Sequence, residues 1–365
     1  MHKTLPRRFY ADADFYRAEL DRFYFSRWIC AGRADQIPLA GAFFTRTIGD
    51  DSIIVTRDER GDIHAIFNVC RHRGTRLCEQ HEGHFTGRIQ CPYHAWTYDL
   101  GGRLVAAPHM PPDFRKDDFP LHQAGCEIWD GNIFVHLGQA GQAGQAGRAG
   151  TLHDQLADLP ARFAAWGMGD LRLARRIVYD VKANWKLIVL NYNECLHCPN
   201  LHPALNKLHH YLGAENVAPT ACYCGGAMGF RDGVETMSVD GKRRRAYLPG
   251  LSEAQRRQVA YYSIYPNFFL SLHPDYVMTH TLWPRAHDRS EIICEWHFHP
   301  DELAKRDAQI DDAVEFWDRT NREDWWISEQ SQAGISSRVY QPGPYSEREA
   351  LLWSFDHIVR RSAGE

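Results

Sequence analysis

Two short runs place iron-type ligands close together: Cys70-Arg71-His72 and, after an 18-residue gap, Cys91-Pro92-Tyr93-His94. Each run offers one thiolate and one imidazole. A Rieske-type [2Fe–2S] cluster is held by two thiolates on one iron and two imidazoles on the other, so each of two loops must supply one residue to each metal. Arg73-Gly74 supplies a tight turn after the first run, and Pro92 stiffens the second. Zinc also accepts two Cys and two His, but zinc fingers of that composition pair Cys with Cys and His with His, whereas each loop here mixes the two. Cys70, His72, Cys91 and His94 are therefore read as ligands of a [2Fe–2S] cluster.

A second ligand-rich run, Glu194-Cys195-Leu196-His197-Cys198-Pro199-Asn200-Leu201-His202, follows Asn184-Trp185-Lys186. The apolar stretch 185–190 predicts a buried helix. Residues three apart on a helix share a face, so Glu194 and His197 point the same way. His202, five residues beyond His197, would lie about 140° away on an unbroken helix. The chain must break, and Pro199 with Pro203 is expected to end regular structure and turn His202 back. Two imidazoles and one carboxylate on one face, with open positions, are what an oxygen-activating Fe(II) requires.

Together the two motifs resemble the α subunit of the Rieske non-haem iron oxygenases, and the resemblance runs from about Trp28 to the C-terminal helix. It implies that His197 and His202 hold a mononuclear Fe(II). The third ligand is then a late acid in Glu323-Asp324, ahead of Glu329 and Gln332; Asp324 is the choice and Glu323 the alternative. Asp311, Asp312 and Asp318 read instead as a solvated face. In most of this family the acid at the position of Glu194 is an Asp. A Glu in an Asn-Tyr-x-Glu-Cys-x-His-Cys setting resembles the subgroup acting on betaines, carnitine and choline.

By that resemblance Glu194 is an intersubunit electron-transfer bridge, linking His94 of one subunit to His197 of the next in a head-to-tail homotrimer. Electrons come from NAD(P)H through a separate flavin/iron–sulfur reductase, and O₂ oxidises a small-molecule substrate. The expected reaction is N-demethylation or hydroxylation of a quaternary ammonium compound such as a betaine. An aromatic-ring or aryl-ether oxygenase is the sibling alternative. A plain Rieske electron-transfer protein is the alternative from another class, and it leaves Glu194, His197, His202 and Asp324 without a role; a zinc-binding interaction module is disfavoured by the mixed ligand order. A trimethylammonium group would sit on aromatic faces; Tyr192, Tyr261, Tyr262, Phe268, Phe269, Trp283 and Phe316 are candidates.

The remaining composition fits a cytoplasmic enzyme. Its 42 basic and 46 acidic residues are nearly balanced, so no nucleic-acid partner is expected, and Lys242-Arg243-Arg244-Arg245 reads as a brief exposed turn. No membrane segment and no signal-type stretch is expected. The ten cysteines are expected to be reduced thiols or metal ligands, with Cys195 and Cys198 as packing residues.

At 365 residues the chain accommodates two domains. The expected fold class is α+β, a small all-β Rieske domain joined to a helix-grip catalytic domain of antiparallel sheet with helices. An N-terminal helical segment (1–40) packs on the catalytic domain, short alternating strands fill a Rieske domain (41–137), the Gly-Gln-Ala repeats form a linker or loop (138–150), and the mononuclear iron domain spans 151–365. Within the last, strands are expected over 171–181, 259–272, 277–283 and 291–298, and helices over 301–321 and 323–339.

Overall fold

The computed structural model describes residues 2–138 and 150–365, so the expected linker lies, but for its two end residues, outside the described residues. The chain divides into two compact units, one of Tyr24–Gln155 and one of Met1–Phe23 with Leu156–Glu365. The α+β expectation, a small β unit and a helix-backed antiparallel sheet, matches both.

The smaller unit is built from three short sheets. Ile63–Phe67, Asp51–Arg57, Ala42–Ile48 and Glu82–His84 form one, in that order; Ile29–Arg33, Asn132–His136 and Gly125–Trp129 form another; Ile89–Gln90, Thr97–Tyr98 and Leu104–Ala106 form the last. Phe43, Ile54, Ile66, Trp96, Tyr98 and Leu121 make its core, and Cys70 and Cys91 are buried in the same cluster. The short alternating strands expected in this stretch are observed, among them Asp51–Arg57 and Asn132–His136.

The larger unit carries a seven-stranded antiparallel sheet, ordered Arg172–Val181, Arg289–Phe298, Val277–Ala286, Phe268–Leu272, Gln258–Ile264, Tyr223–Phe230, His209–Asn216. The run expected as one strand over 259–272 is two strands, turned at Pro266, which has no N–H for a ladder. The last two strands of the order were not legible in the sequence. Glycine is poor strand material, yet a Cβ at Gly226 would come within 2.4 Å of the Glu215 carbonyl oxygen, so the close pairing of these strands demands it.

The two late helices expected from the sequence are one: the helix Asp311–Ser336 runs unbroken through 322, preceded by a short turn of helix at Pro300–Leu303. No Pro or Gly interrupts 311–333, so nothing stops propagation there. The solvated-face reading of its acids fails at Asp312, which pairs with Arg244 and with Arg245. Arg245 is 1% exposed and also meets the buried Asp275 at 2.8 Å, so the basic run 242–245 is not an exposed turn throughout. Its last member is a buried tie between a loop and the long helix.

The Asn184-Trp185-Lys186 run starts the buried helix Trp185–Tyr192. Asn184 caps it by accepting from the Lys186 N–H at 3.0 Å. Its own backbone N–H is received by Gln332 of the long helix at 2.9 Å, and the Lys182 N–H by Glu329 at 2.9 Å. Trp185 Nε1 and Lys186 Nζ both donate to one oxygen of Glu19, each at 2.7 Å, with Lys186 and Glu19 0% and 3% exposed. Glu19 ends the N-terminal helix Ala13–Glu19, so this pair fastens the N-terminus onto the helix that leads into the ligand run. Removing one member of a buried pair strands the other charge. Glu19→Ala is expected to lower stability by about 3–5 kcal/mol, read from the denaturant midpoint; a loss below about 1 kcal/mol would show that water reaches Lys186.

Candidate active site

In the smaller unit the two ligand loops have the same backbone design. The Cys70 N–H donates to the Thr75 carbonyl and the Gly74 N–H returns to the Cys70 carbonyl; the Cys91 N–H donates to Trp96 and the Ala95 N–H returns to Cys91. The fifth residue of each turn is left-handed, Gly74 at φ 73° and Ala95 at φ 57°. A side chain in that region carries a cost, which the second loop bears and the first avoids with glycine. These turns put Cys70 beside Cys91 in the core and bring the His72 and His94 rings to 4.8 Å, with Trp96 stacked on His72. Burial raises the Cys70 thiol above its ordinary range, hydrogen bonds from Tyr98 and the His72 backbone oppose that, and the adjacent Cys91 adds to it. Two adjacent thiols and two adjacent imidazoles are the donor set that a [2Fe–2S] cluster of mixed ligation takes.

Tyr98 stands at this site without having been signalled by any motif. Its hydroxyl lies 3.4 Å from the Cys70 sulfur and accepts from the Arg71 N–H at 3.1 Å. A donor to a ligating sulfur favours the more negative, reduced cluster. Tyr98→Phe is expected to lower the cluster's reduction potential by on the order of 20–60 mV, the equivalent of one modest hydrogen bond, with the visible spectrum retained. Protein-film voltammetry checks it.

In the larger unit the chain breaks earlier than expected. The helix Trp185–Tyr192 ends at Asn193, whose side chain bonds back to the Val189 carbonyl at 2.6 Å, and Glu194 begins a turn. Pro199 does not end a helix; it sits in the first turn of a new one, Cys198–Leu201, where its missing N–H costs nothing. His202 follows as that helix's cap residue, with φ −120° and ψ 67°. The expected convergence of His197 and His202 is therefore achieved by a turn and a fresh helix. A disulfide joins Cys195 to Cys198, whose Cα atoms are 5.0 Å apart, which corrects the expectation that both are reduced packing residues.

Both imidazoles aim Nε2 at one carboxylate oxygen. Asp324 Oδ1 is 2.8 Å from His202 Nε2 and 3.4 Å from His197 Nε2. One donor atom from each of the three residues lies within 4.8 Å of the others. The opposite ring nitrogens are also taken by acids: Glu194 meets His197 Nδ1 at 2.5 Å and Glu323 meets His202 Nδ1 at 2.6 Å. Glu323, the alternative third ligand on spacing alone, thus stands behind a histidine, while its neighbour Asp324 stands in front. Burial opposes charge on His197, but its bonds to Asp324 and Glu194 lift it to about 9. Asp324 resists burial in the same way and is held below its ordinary value by the two histidines.

Two imidazoles and a carboxylate with converging donor atoms fit a non-haem Fe(II), and an acid on each outer nitrogen fixes the tautomer that leaves Nε2 free to ligate. Asp324→Ala is expected to abolish mononuclear iron binding, and Glu323→Gln to weaken it about 10–100-fold, measured by iron titration with the Rieske spectrum as internal control. Full iron content in the Asp324→Ala protein would remove that residue from the ligand set.

The donors open onto a cavity of about 350 Å³, of the size of small-ligand sites. Of the seven aromatic candidates only Tyr192 and Tyr261 line it, joined by Tyr211 and Trp317. Trp317, Thr320 and Asp324 all line the cavity, and that i, i+3, i+7 spacing was a signal the sequence offered for Trp317. Tyr211 lies on a strand that was not anticipated. His209, on the same strand, is also in the wall.

Comparison with known proteins agrees with this geometry. Residues 27–124 match the Rieske [2Fe–2S] domain, and residues 168–365 the ring hydroxylating alpha subunit (catalytic domain). The chain is 31% identical to the glycine betaine monooxygenase oxygenase subunit of Chromohalobacter salexigens, over 99% of this chain and 87% of that protein. It is 30% identical to the protein of the same name from Pseudomonas aeruginosa, over 94% and 85%, and 29% identical to the chloroplastic choline monooxygenase of Arabidopsis thaliana, over 98% and 82%. In fold it is similar to the crystal structure of the quaternary ammonium Rieske monooxygenase CntA, with a TM-score of 0.81, 24% identity, and 99% and 95% of the two chains covered. A Rieske domain followed by this catalytic domain, in relatives matched nearly end to end, leaves one conclusion: the chain belongs to the ring-hydroxylating oxygenase α-subunit family, the Rieske oxidoreductases that use a [2Fe–2S] cluster, a mononuclear iron and reductase-supplied electrons.

Proposed function

We propose that this chain is the terminal oxygenase component for a quaternary ammonium compound of betaine type, which it N-demethylates or hydroxylates with O₂. The observation that carries the reading is Glu194: a glutamate occupies the position from which an acid reaches Nδ1 of His197, in the sequence setting that resembles the quaternary ammonium subgroup. The names of the relatives support it, since glycine betaine, choline and carnitine monooxygenases all stand among them.

Cys70, His72, Cys91 and His94 would hold the [2Fe–2S] cluster, and His197, His202 and Asp324 the mononuclear iron. When bound, these groups supply electron storage and O₂ activation. The protein's part is position. Glu194 fixes the His197 tautomer, Glu323 does the same for His202, and Tyr211, Tyr261 and Trp317 offer aromatic faces to a cationic head group. In this reading Glu194 also meets His94 of a neighbouring subunit, which makes a head-to-tail ring, most simply a homotrimer, the active form. A separate flavin/iron–sulfur reductase would deliver electrons from NAD(P)H. Among the described residues no helix is long and apolar enough to cross a membrane.

Substrate-stimulated O₂ uptake with a compatible reductase tests the reading, with formaldehyde assayed in parallel across betaines, carnitine, choline and simple aromatic acids. Uptake with a betaine, matched by formaldehyde or by a hydroxylated product, is the expected outcome. Stimulation by aromatic acids alone would keep the oxygenase and replace its substrate class.

A further inference from the structure

The cavity wall contains two polar side chains that the iron site does not use, and their chemistry differs from that of every acid around them. His209 is 1% exposed, yet its ring Nδ1 has no hydrogen-bond partner. Its backbone carbonyl accepts from Arg231 at 3.2 Å, which fixes the residue on the strand. Burial, then the positive charge of Arg231, holds the imidazole neutral, with its titration pushed down to about 4. A buried polar atom without a partner is uncommon in a folded protein and calls for a ligand or a water. The second side chain is Arg348, exposed on the short turn Glu347–Glu349, which lines the same cavity. It makes no ion pair among the described residues. The cavity's inner acids are already committed: Asp324 to both histidines, Glu194 to His197 and the Leu196 N–H.

Resting on the quaternary ammonium reading, we propose that this cavity is built to read a zwitterion, with His209 and Arg348 binding the carboxylate of the substrate. A neutral imidazole presents one N–H donor without a cation. It can therefore hold a carboxylate oxygen without repelling the ammonium a few bonds away, which a lysine in the same place would do. Arg348 supplies the compensating charge from the exposed turn, where a guanidinium keeps its hydration until the anion arrives. Cation and anion ends are thereby read by different groups, aromatic faces for one and His209 with Arg348 for the other. Choline, which carries the same trimethylammonium head and a hydroxyl in place of the carboxylate, lacks the group these two residues recognise.

The test uses the full-length oxygenase with both metal centres loaded and a compatible reductase, and compares kcat/KM for glycine betaine and choline. Binding of each compound is measured separately by calorimetry under anaerobic conditions. Arg348→Gln and His209→Leu are each expected to lower the betaine-over-choline preference about tenfold, mostly through KM and with a matching loss of betaine affinity. Arg348→Lys and His209→Gln, which keep a charge or a donor, should restore part of it. Equal losses for both compounds, or an unchanged preference in the exposed Arg348→Gln variant, would overturn the inference while the quaternary ammonium reading stands. Failure of the unsubstituted enzyme to act on any quaternary ammonium compound, carnitine included, would overturn that reading, and the inference with it.

Discussion

The catalytic unit depends on one convergence: two imidazoles and a carboxylate, 122 residues apart from His202 to Asp324, must bring three donor atoms within 4.8 Å. An imidazole is directional, and a ring turned by a few tens of degrees ligates nothing. Each ring is therefore gripped from behind by an acid, His197 by Glu194 and His202 by Glu323. The two grips have different origins. Glu194 is local, three residues before its histidine, whereas Glu323 arrives on the long helix beside Asp324. Adjacent residues on a helix diverge by about 100°. That divergence lets one side chain stand in front of the ring plane's edge and the other behind it.

The position of the long helix is consequently part of the site, and the surrounding structure fixes it at both ends. Near its start, Asp312 is bound by Arg245, itself locked to the buried Asp275. Toward its end, Gln332 and Glu329 receive the backbone N–H groups of Asn184 and Lys182, just where the helix that leads into the run from Glu194 to His202 begins. Asn184 thus caps one helix and is received by the other. The Trp185-Lys186 pair then ties that junction to Glu19. Apart from the exposed Lys182–Glu329 bond, these interactions are buried or partly buried and polar, costly to form and more costly to leave half made. Their value lies in register: a slip of one residue would put Glu323 or Trp325 where Asp324 stands.

How much of this was legible follows from how far each feature reaches along the chain. The cluster loops were plain, because thiolate, imidazole, turn glycine and closing hydrogen bonds all lie within six residues of one another. The convergence of His197 and His202 was foreseen, but its means was misread, since proline can open a helix as readily as close one. Asp324 against Glu323 could not be settled by spacing, because neighbouring acids are equivalent until a distant partner is placed. The strands His209–Asn216 and Tyr223–Phe230 escaped for a related reason. Glycines that depress strand propensity are required there by the closeness of the paired backbone, and that is a tertiary fact. Arg245 looked like part of a charged turn and is buried, because its partners Asp275 and Asp312 lie 30 and 67 residues away.

The two units also differ in what they expose, and the difference bears on how electrons can pass. Cys70 and Cys91 are 2% and 3% exposed, sunk in the hydrophobic core, while His72 and His94 are only partly covered. The imidazole edge is thus the outward face of the cluster site. In the larger unit the inner histidine is sealed, with His202 at 1% exposure, while Glu194 and His197 are partly accessible at 17% and 20%. One oxygen of that carboxylate is spent on His197, and the other accepts from the Leu196 N–H. A carboxylate oxygen has two lone-pair sites, so the second retains capacity for one more donor. In the proposed reading, an imidazole N–H of a neighbouring subunit completes it.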